Sequence, residues 1–219
     1  MYFSEDETQA LNTRIRQLER QTGIELVAAI VDKCDHYPEI PWKAFAMGAA
    51  IGALSVFFTL VMAPPGTASD LALMHILVTL AAGTIMALLT VVWPGWARLF
   101  LDKTRAEGEM RQYAQSLVLE HDIVALPNRT GMVLLIGLFE HQVILLPDIG
   151  FGDRLPPEKT QAVVDAMTAS LKKGDFRGAL SQGLNALEEC LRAAGFTPAG
   201  DDRDRIAEAL IQQKGGADA

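Results

Sequence analysis

Two apolar runs dominate the pattern along the chain, Ala44–Ala63 and Leu71–Trp93, and neither contains Asp, Glu, Lys or Arg. A helix needs about 20 apolar residues to cross a hydrocarbon core of about 30 Å, and both runs are that long. Ser55, Thr59, Thr79, Thr84 and Thr90 can bond back to their own helices, so they do not interrupt a span. Between the runs, Pro64–Asp70 allows only a tight reversal. The pattern predicts a transmembrane helical hairpin over residues 43–97, with spans at about 44–63 and 71–93. A hairpin returns the chain to the side it left.

On either side of the hairpin the periodicity is that of an α/β domain. Ser4-Glu5-Asp6-Glu7 fits a capping box, and Leu11, Ile15 and Leu18 recur at helical spacing, which predicts a helix over about 5–21. Ile24–Val31 is a nearly continuous apolar run, as in a strand buried on both faces. After the second span, Ala106, Met110, Tyr113, Ala114 and Leu117 mark one face of a helix that continues from the membrane to about His121. Gly131–Leu138 and Val143–Leu146 read as two antiparallel strands joined by a turn at Phe139–Gln142. Pro156-Pro157 opens a helix with Val163, Val164, Met167 and Leu171 on its apolar face. Asp175 caps another, striped by Phe176, Leu180, Leu184, Leu187 and Leu191. A short helix is expected within Asp201–Gln213, around Ile206 and Leu210, and then a disordered tail.

The hairpin also orders the strands. The first strand runs toward the bilayer and the return helix runs away, so the second strand runs back, parallel to the first. The hairpin is thus an insertion in a βαβ crossover. The expected fold class is α/β, a small mixed sheet flanked by helices. Residues 1–42 and 98–198 form one discontinuous domain and 199–219 a C-terminal tail. Leu135 on the central strand and Leu184 on the helix covering it are expected core positions. Thr22, Arg129 and Asp148 should gather at the membrane-distal end of the sheet. Asp32, Asp35, Glu140 and His141 should gather at the proximal end, with Glu140 and His141 solvated in their turn.

Charge then decides orientation and excludes partners. Lys33, Lys43, Arg98, Lys103 and Arg105 flank the spans, and the hairpin turn carries no basic residue. Basic flanks stay cytoplasmic, so both termini are expected in the cytoplasm, with Trp42, Trp93 and Trp96 at the same interface. The net charge of -8 argues against nucleic acid. Cys34 and Cys190 have no metal-binding spacing and read as structural thiols. The polar start of the chain has no apolar core of a signal peptide, so the first span is expected to serve as the insertion signal.

Four segments in order resemble the TPM domain family. They are Gln21-Thr22-Gly23-Ile24-Glu25-Leu26, Arg129–His141, Gln142–Phe151 and Lys173–Leu180. Asp35–Glu39 ahead of two spans resembles a bacterial membrane branch of that family. The resemblance implies a TPM-like fold, a two-pass protein of the bacterial inner membrane, and one of two functions. The first is a membrane-tethered factor that binds, assembles or maintains other membrane proteins. The second is a weak, metal-assisted acid phosphatase. Calcium is a cofactor in some descriptions of the family, but no ligand set maps onto this chain residue by residue.

Thr22, Glu25, Arg129 and Asp148 are the candidate binding residues. Each also has a structural reading. Glu25 and Arg129 begin neighbouring strands, where an ion pair or backbone hydrogen bonds would satisfy them. Asp148 precedes Ile149-Gly150, as in an Asx turn. There is no Gly-x-Ser-x-Gly, Walker loop, EF-hand loop, HExxH or Cys-x5-Arg pattern. No catalytic residue is assigned, which favours the binding function. Gly48 and Gly52 permit a close helix approach, with the second span of the same chain as the expected partner.

Overall fold

Ser4 begins the first helix as its sequence predicts. In the computed structural model, which describes residues 3–62, 68–126, 128–197 and 210–213, the Ser4 side chain accepts from the Glu7 N–H and the Glu7 carboxylate accepts from the Ser4 N–H. This box opens α1 (Glu5–Thr22), and Gly23 closes it in the left-handed conformation. β1 (Glu25–Val31) follows. Then come α2 (Glu39–Met62), α3 (Ala68–Val92), the one-turn α4 (Pro94–Ala97) and α5 (Lys103–Glu120). β2 (Gly131–Gly137) and β3 (Gln142–Pro147) lead to α6 (Pro157–Leu171), α7 (Phe176–Ala193) and β4 (Leu210–Gln213).

The chain divides into two units, His36–Lys103 and a second one made of Met1–Asp35 with Thr104–Ala219. In the second, the sheet order is β3-β2-β1-β4. β1 is parallel to β2, from Glu25 opposite Gly131 to Val31 opposite Gly137, and β2 is antiparallel to β3. The crossover from β1 to β2 is the expected one.

β1 and β2 are buried along both faces. Leu26, Ala28, Ile30, Met132, Leu134 and Ile136 share a core with Ile15 and Leu18 of α1, Met167 of α6 and Leu184 of α7. Val27, Ala29, Val31, Val133 and Leu135 lie in a separate core with Met110, Ala114 and Leu117 of α5. Leu135 and Leu184 are both fully buried, but on opposite faces. The helix of Leu184 covers Leu134, not Leu135. A strand that is apolar at every position does not say which half of it faces which helix.

Two expected helices change. The return helix does not run unbroken from the second span to His121. Trp93 is extended (φ −123, ψ 99), because Pro94 drives its predecessor out of the helical region. A second extended residue, Leu101, then separates a 3-10 turn from α5. At the other end, Leu210–Gln213 is a strand parallel to β1 rather than the end of a helix. Residues 198–209 and 214–219, the rest of that expected helix and the tail, lie outside the described residues. β1 is a central strand with an open edge. β4 satisfies it at Ala28–Val31, and the Glu19 carboxylate accepts the N–H of Leu26 beyond β4.

In the other unit α2 and α3 form an antiparallel pair. A side chain at Gly48 would put its Cβ 2.5 Å from the Ala82 carbonyl oxygen, and one at Gly52 would sit 2.9 Å from the Thr79 Cα. The small residues serve the contact within the hairpin, as expected. Ser55, Thr59, Thr79, Thr84 and Thr90 donate to carbonyls three or four residues back. Residues 63–67, most of the expected turn, lie outside the described residues.

Candidate functional site

The starts of β1 and β2 and the end of β3 meet at one end of the sheet, which places Arg129 and Asp148 together. Arg129 Nε donates to Asp148 Oδ2 at 2.7 Å and Nη2 to Oδ1 at 2.9 Å, a two-pronged ion pair. Asp148 Oδ1 also accepts from the Ile149 N–H at 2.7 Å, the Asx-type turn expected there. Its own N–H donates to the Gly131 carbonyl at 3.0 Å. The Asp148 carboxyl side chain is 9% exposed. The hydrogen bonds from Arg129 hold it below the usual carboxylate range, and they push the guanidinium up in turn.

The loop before β2 is bent to suit this pair. Arg129 has φ +52, a region that non-glycine residues rarely adopt. Its N–H donates to the Leu126 carbonyl at 3.0 Å and its carbonyl accepts from the Gly150 N–H at 2.9 Å. Any side chain at Gly150 would collide with the carbonyl oxygens of Asn128 and Arg129. Residues 128–130 and 147–151 are thus clasped to each other.

The partner of Arg129 is a correction. Of the two readings for Glu25 and Arg129, an ion pair or backbone hydrogen bonds, Arg129 pairs with Asp148 instead of Glu25, while the backbone bonds are present, the Glu25 N–H donating to the Thr130 carbonyl at 3.3 Å. Thr22 is buried, and its hydroxyl donates to the Leu18 carbonyl at 2.7 Å, closing α1. Of the four candidates, the structure brings Arg129 and Asp148 into contact, and the Thr22 hydroxyl bonds within α1. Beside Asp148, a pocket of about 390 Å³ opens between the last turns of α5 and the end of β3. Gln115, Val118, Leu119, Ile123, Leu146 and Pro147 line it. Sequence periodicity did not point to this pocket. Its one signal was Leu119 and Ile149, apolar residues outside every predicted stripe.

The opposite end of the sheet overturns an expectation. Glu140 is buried, not solvated. Its Oε1 accepts from the Cys34 N–H at 2.9 Å. The β2–β3 turn folds over the exit of β1, with the Leu138 N–H on the Val31 carbonyl and the Phe139 N–H on that of Asp32. His141, at φ +53, turns the chain into β3 and is half-buried. Arg105 reaches Asp35 at 3.0 Å and Glu109 at 3.5 Å, and the Lys33 ammonium lies 5.0 Å from the centre of the Phe139 ring. Burial first, then the charge of Glu140, pushes the Cys34 thiol up.

Among the described residues, no three His, Cys, Asp or Glu side chains gather closely enough to hold a metal ion.

The model of the TPM domain matches residues 98–190 of the chain. The match takes in α5, the clasp, the β2–β3 hairpin, α6 and most of α7, and it leaves out α1 and β1. Among solved structures, the chain is similar to the NMR structure of the BA42 protein from the psychrophilic bacterium Bizionia argentinensis, at 11% identity and a TM-score of 0.56. That likeness covers 97% of this chain and 96% of BA42 and shows the fold alone. No protein with a curated description matches the chain.

Proposed function

We propose that this TPM-domain chain is a two-pass protein of the bacterial inner membrane whose α/β unit binds other membrane proteins and assists their assembly or maintenance. One observation carries the membrane reading. α2 and α3 have 24 and 25 residues, yet only 11% of each apolar stretch is buried. Leu54, Phe57 and Phe58 of α2, and Leu73, Leu77 and Val91 of α3, are each more than half exposed. The core helix of a soluble domain buries such residues. An uncovered belt of them on two adjacent helices suits hydrocarbon as its solvent.

Both termini face the cytoplasm in this reading. The support is Lys33, Lys43, Arg98, Lys103 and Arg105 at the flanks, against no basic residue in 64–70. A reporter active only outside the cytoplasm should be silent after Ala219 and active when inserted at Thr67. The reverse pair of results overturns the topology.

Binding is favoured over catalysis by the state of Asp148. A carboxylate nucleophile or base needs an open approach and a free oxygen. Both oxygens of Asp148 accept from Arg129, and the side chain is nearly covered. Cross-linking the full chain in native membranes should capture membrane proteins. Turnover of a phosphomonoester by the purified full chain, lost in Asp148→Asn, would establish the acid phosphatase instead.

A further inference from the structure

We infer that Trp93–Leu101, where the chain leaves α3, is itself a lipid contact, a ledge lying in the headgroup layer rather than a linker in water, a point that rests on the membrane reading above. Three residues at this end of the hairpin present large apolar side chains to the outside. Trp42 is 71% exposed, Trp93 64% and Leu99 71%.

The depth follows from how the segment is pinned. Pro94 breaks the helix after Trp93, and the single turn of α4 and the 3-10 turn Arg98–Phe100 follow. The chain then turns back beside α3. The Trp96 Nε1–H donates to the Met86 carbonyl at 3.3 Å, and Met86 lies six residues before Val92, the last residue of α3. That is about 9 Å back along the helix axis. At the far end of the segment the Lys43 ammonium donates to the Phe100 carbonyl at 3.3 Å. Lys43 immediately precedes the apolar run of α2, and Trp93 closes that of α3. The segment is thus held at the level where both apolar runs end, which in a bilayer is the border between hydrocarbon and headgroups.

The segment has two sides. Ala97 is buried and Trp96 half-buried, with the Trp96 ring edge-on to that of Phe100 at 5.8 Å. On the outer side, a Cβ at Gly95 would lie 3.3 Å from Trp93 Nε1, so the Trp93 indole lies along the α4 turn, and Leu99 comes one helical turn later. The three tryptophans are alike in sequence. The structure commits Trp96 to the hairpin and leaves Trp42 and Trp93 to the surroundings. An indole has an apolar ring and an N–H donor, and the headgroup layer suits both. The outer side also continues the uncovered belt of α3, whose last residues Val91 and Val92 are exposed, so the lipid that covers the belt reaches the ledge as well.

The test uses the full chain in phosphatidylcholine–phosphatidylglycerol vesicles whose acyl chains carry bromine, a contact quencher of tryptophan emission, either near the headgroup or near the bilayer centre. The chain has three tryptophans, so Trp42→Phe with Trp93→Phe leaves Trp96 as the reference emission. Both substituted residues are exposed, and the reference chain should keep the melting profile of the parent. Leu99→Trp and Leu54→Trp are then added to it one at a time, Leu54 being exposed near the middle of the run Ala44–Ala63. The emission added by Leu99→Trp should be quenched at least about twofold more by the shallow bromine than by the deep one, and that added by Leu54→Trp more by the deep one. If Leu99→Trp disturbs the melting profile, a chain keeping Trp93 and Trp96 is read in its place, with the same result expected. Added emission that iodide in the water quenches and neither bromine touches overturns the ledge, and so does emission quenched mainly by the deep bromine. In either case deep quenching of Leu54→Trp leaves the membrane reading standing. Emission from Leu54→Trp untouched by both lipids overturns the membrane reading and the ledge with it.

Discussion

The Glu140 carboxylate accepts the backbone N–H of Cys34 at 2.9 Å, joining residues 106 positions apart in sequence. The bond ties the β2–β3 turn to the segment through which the chain leaves the sheet for residues 36–103. Glu140→Ala removes a buried acceptor and leaves the Cys34 N–H without it, at a cost of about 1–3 kcal/mol. Cys34 is 8% exposed, and both burial and the Glu140 charge disfavour its thiolate. It should therefore react slowly with a thiol reagent at pH 8 in the parent chain and clearly faster in Glu140→Ala. Equal rates in the two chains would show that the bond does not hold this exit closed.

The Arg129–Asp148 clasp predicts a pH dependence. The Asp148 carboxyl sits below its usual range in the folded chain because Arg129 bonds it, while in the unfolded chain it titrates near 3.9. The stabilisation is therefore fully present above about pH 4, and it is lost as pH falls through the lower folded value. Thermal unfolding from pH 7 down to 2.5 should show Asp148→Asn less stable than the parent at neutral pH, with the gap closing in acid. A gap independent of pH would mean that the charge pair contributes nothing.

Leu135 and Leu184 are fully buried in separate cores. Each changed to Ala should cost about 2–5 kcal/mol in denaturant unfolding. They lie on opposite faces of the sheet, so the double variant should lose the sum of the two within about 0.5 kcal/mol. Strong non-additivity would indicate that the two positions share one cavity.

Gly48 faces the backbone of α3. Gly48→Val should force α2 and α3 apart and lower the thermal stability of the chain in detergent. Ala53→Val, on the exposed side of α2, should leave it nearly unchanged. Equal effects would place the helix contact elsewhere.

The amino-acid sequence alone determined the features governed by neighbours along the chain. The capping box at Ser4 and Glu7, the cap at Asp175 and the turn at Asp148 each need only residues within a few positions. The two long apolar helices and the parallel pairing of β1 with β2 follow from run length and from the return of the chain. Features set by residues distant in sequence were decided by the tertiary structure. Leu210 has the spacing of a helix with Ile206, yet Leu210–Gln213 is a strand, because the open edge of β1 supplies partners at Ala28–Val31 that no local pattern reveals. Glu140 is polar and sits in a turn, which reads as solvated until the turn closes over Cys34. Arg129 was expected opposite Glu25, and the antiparallel return of β3 brings Asp148 to it instead. Leu135 faces α5 rather than α7 because β1 and β2 are apolar on both sides. For such strands, alternation cannot assign a face, and only the helices packed on each side do so.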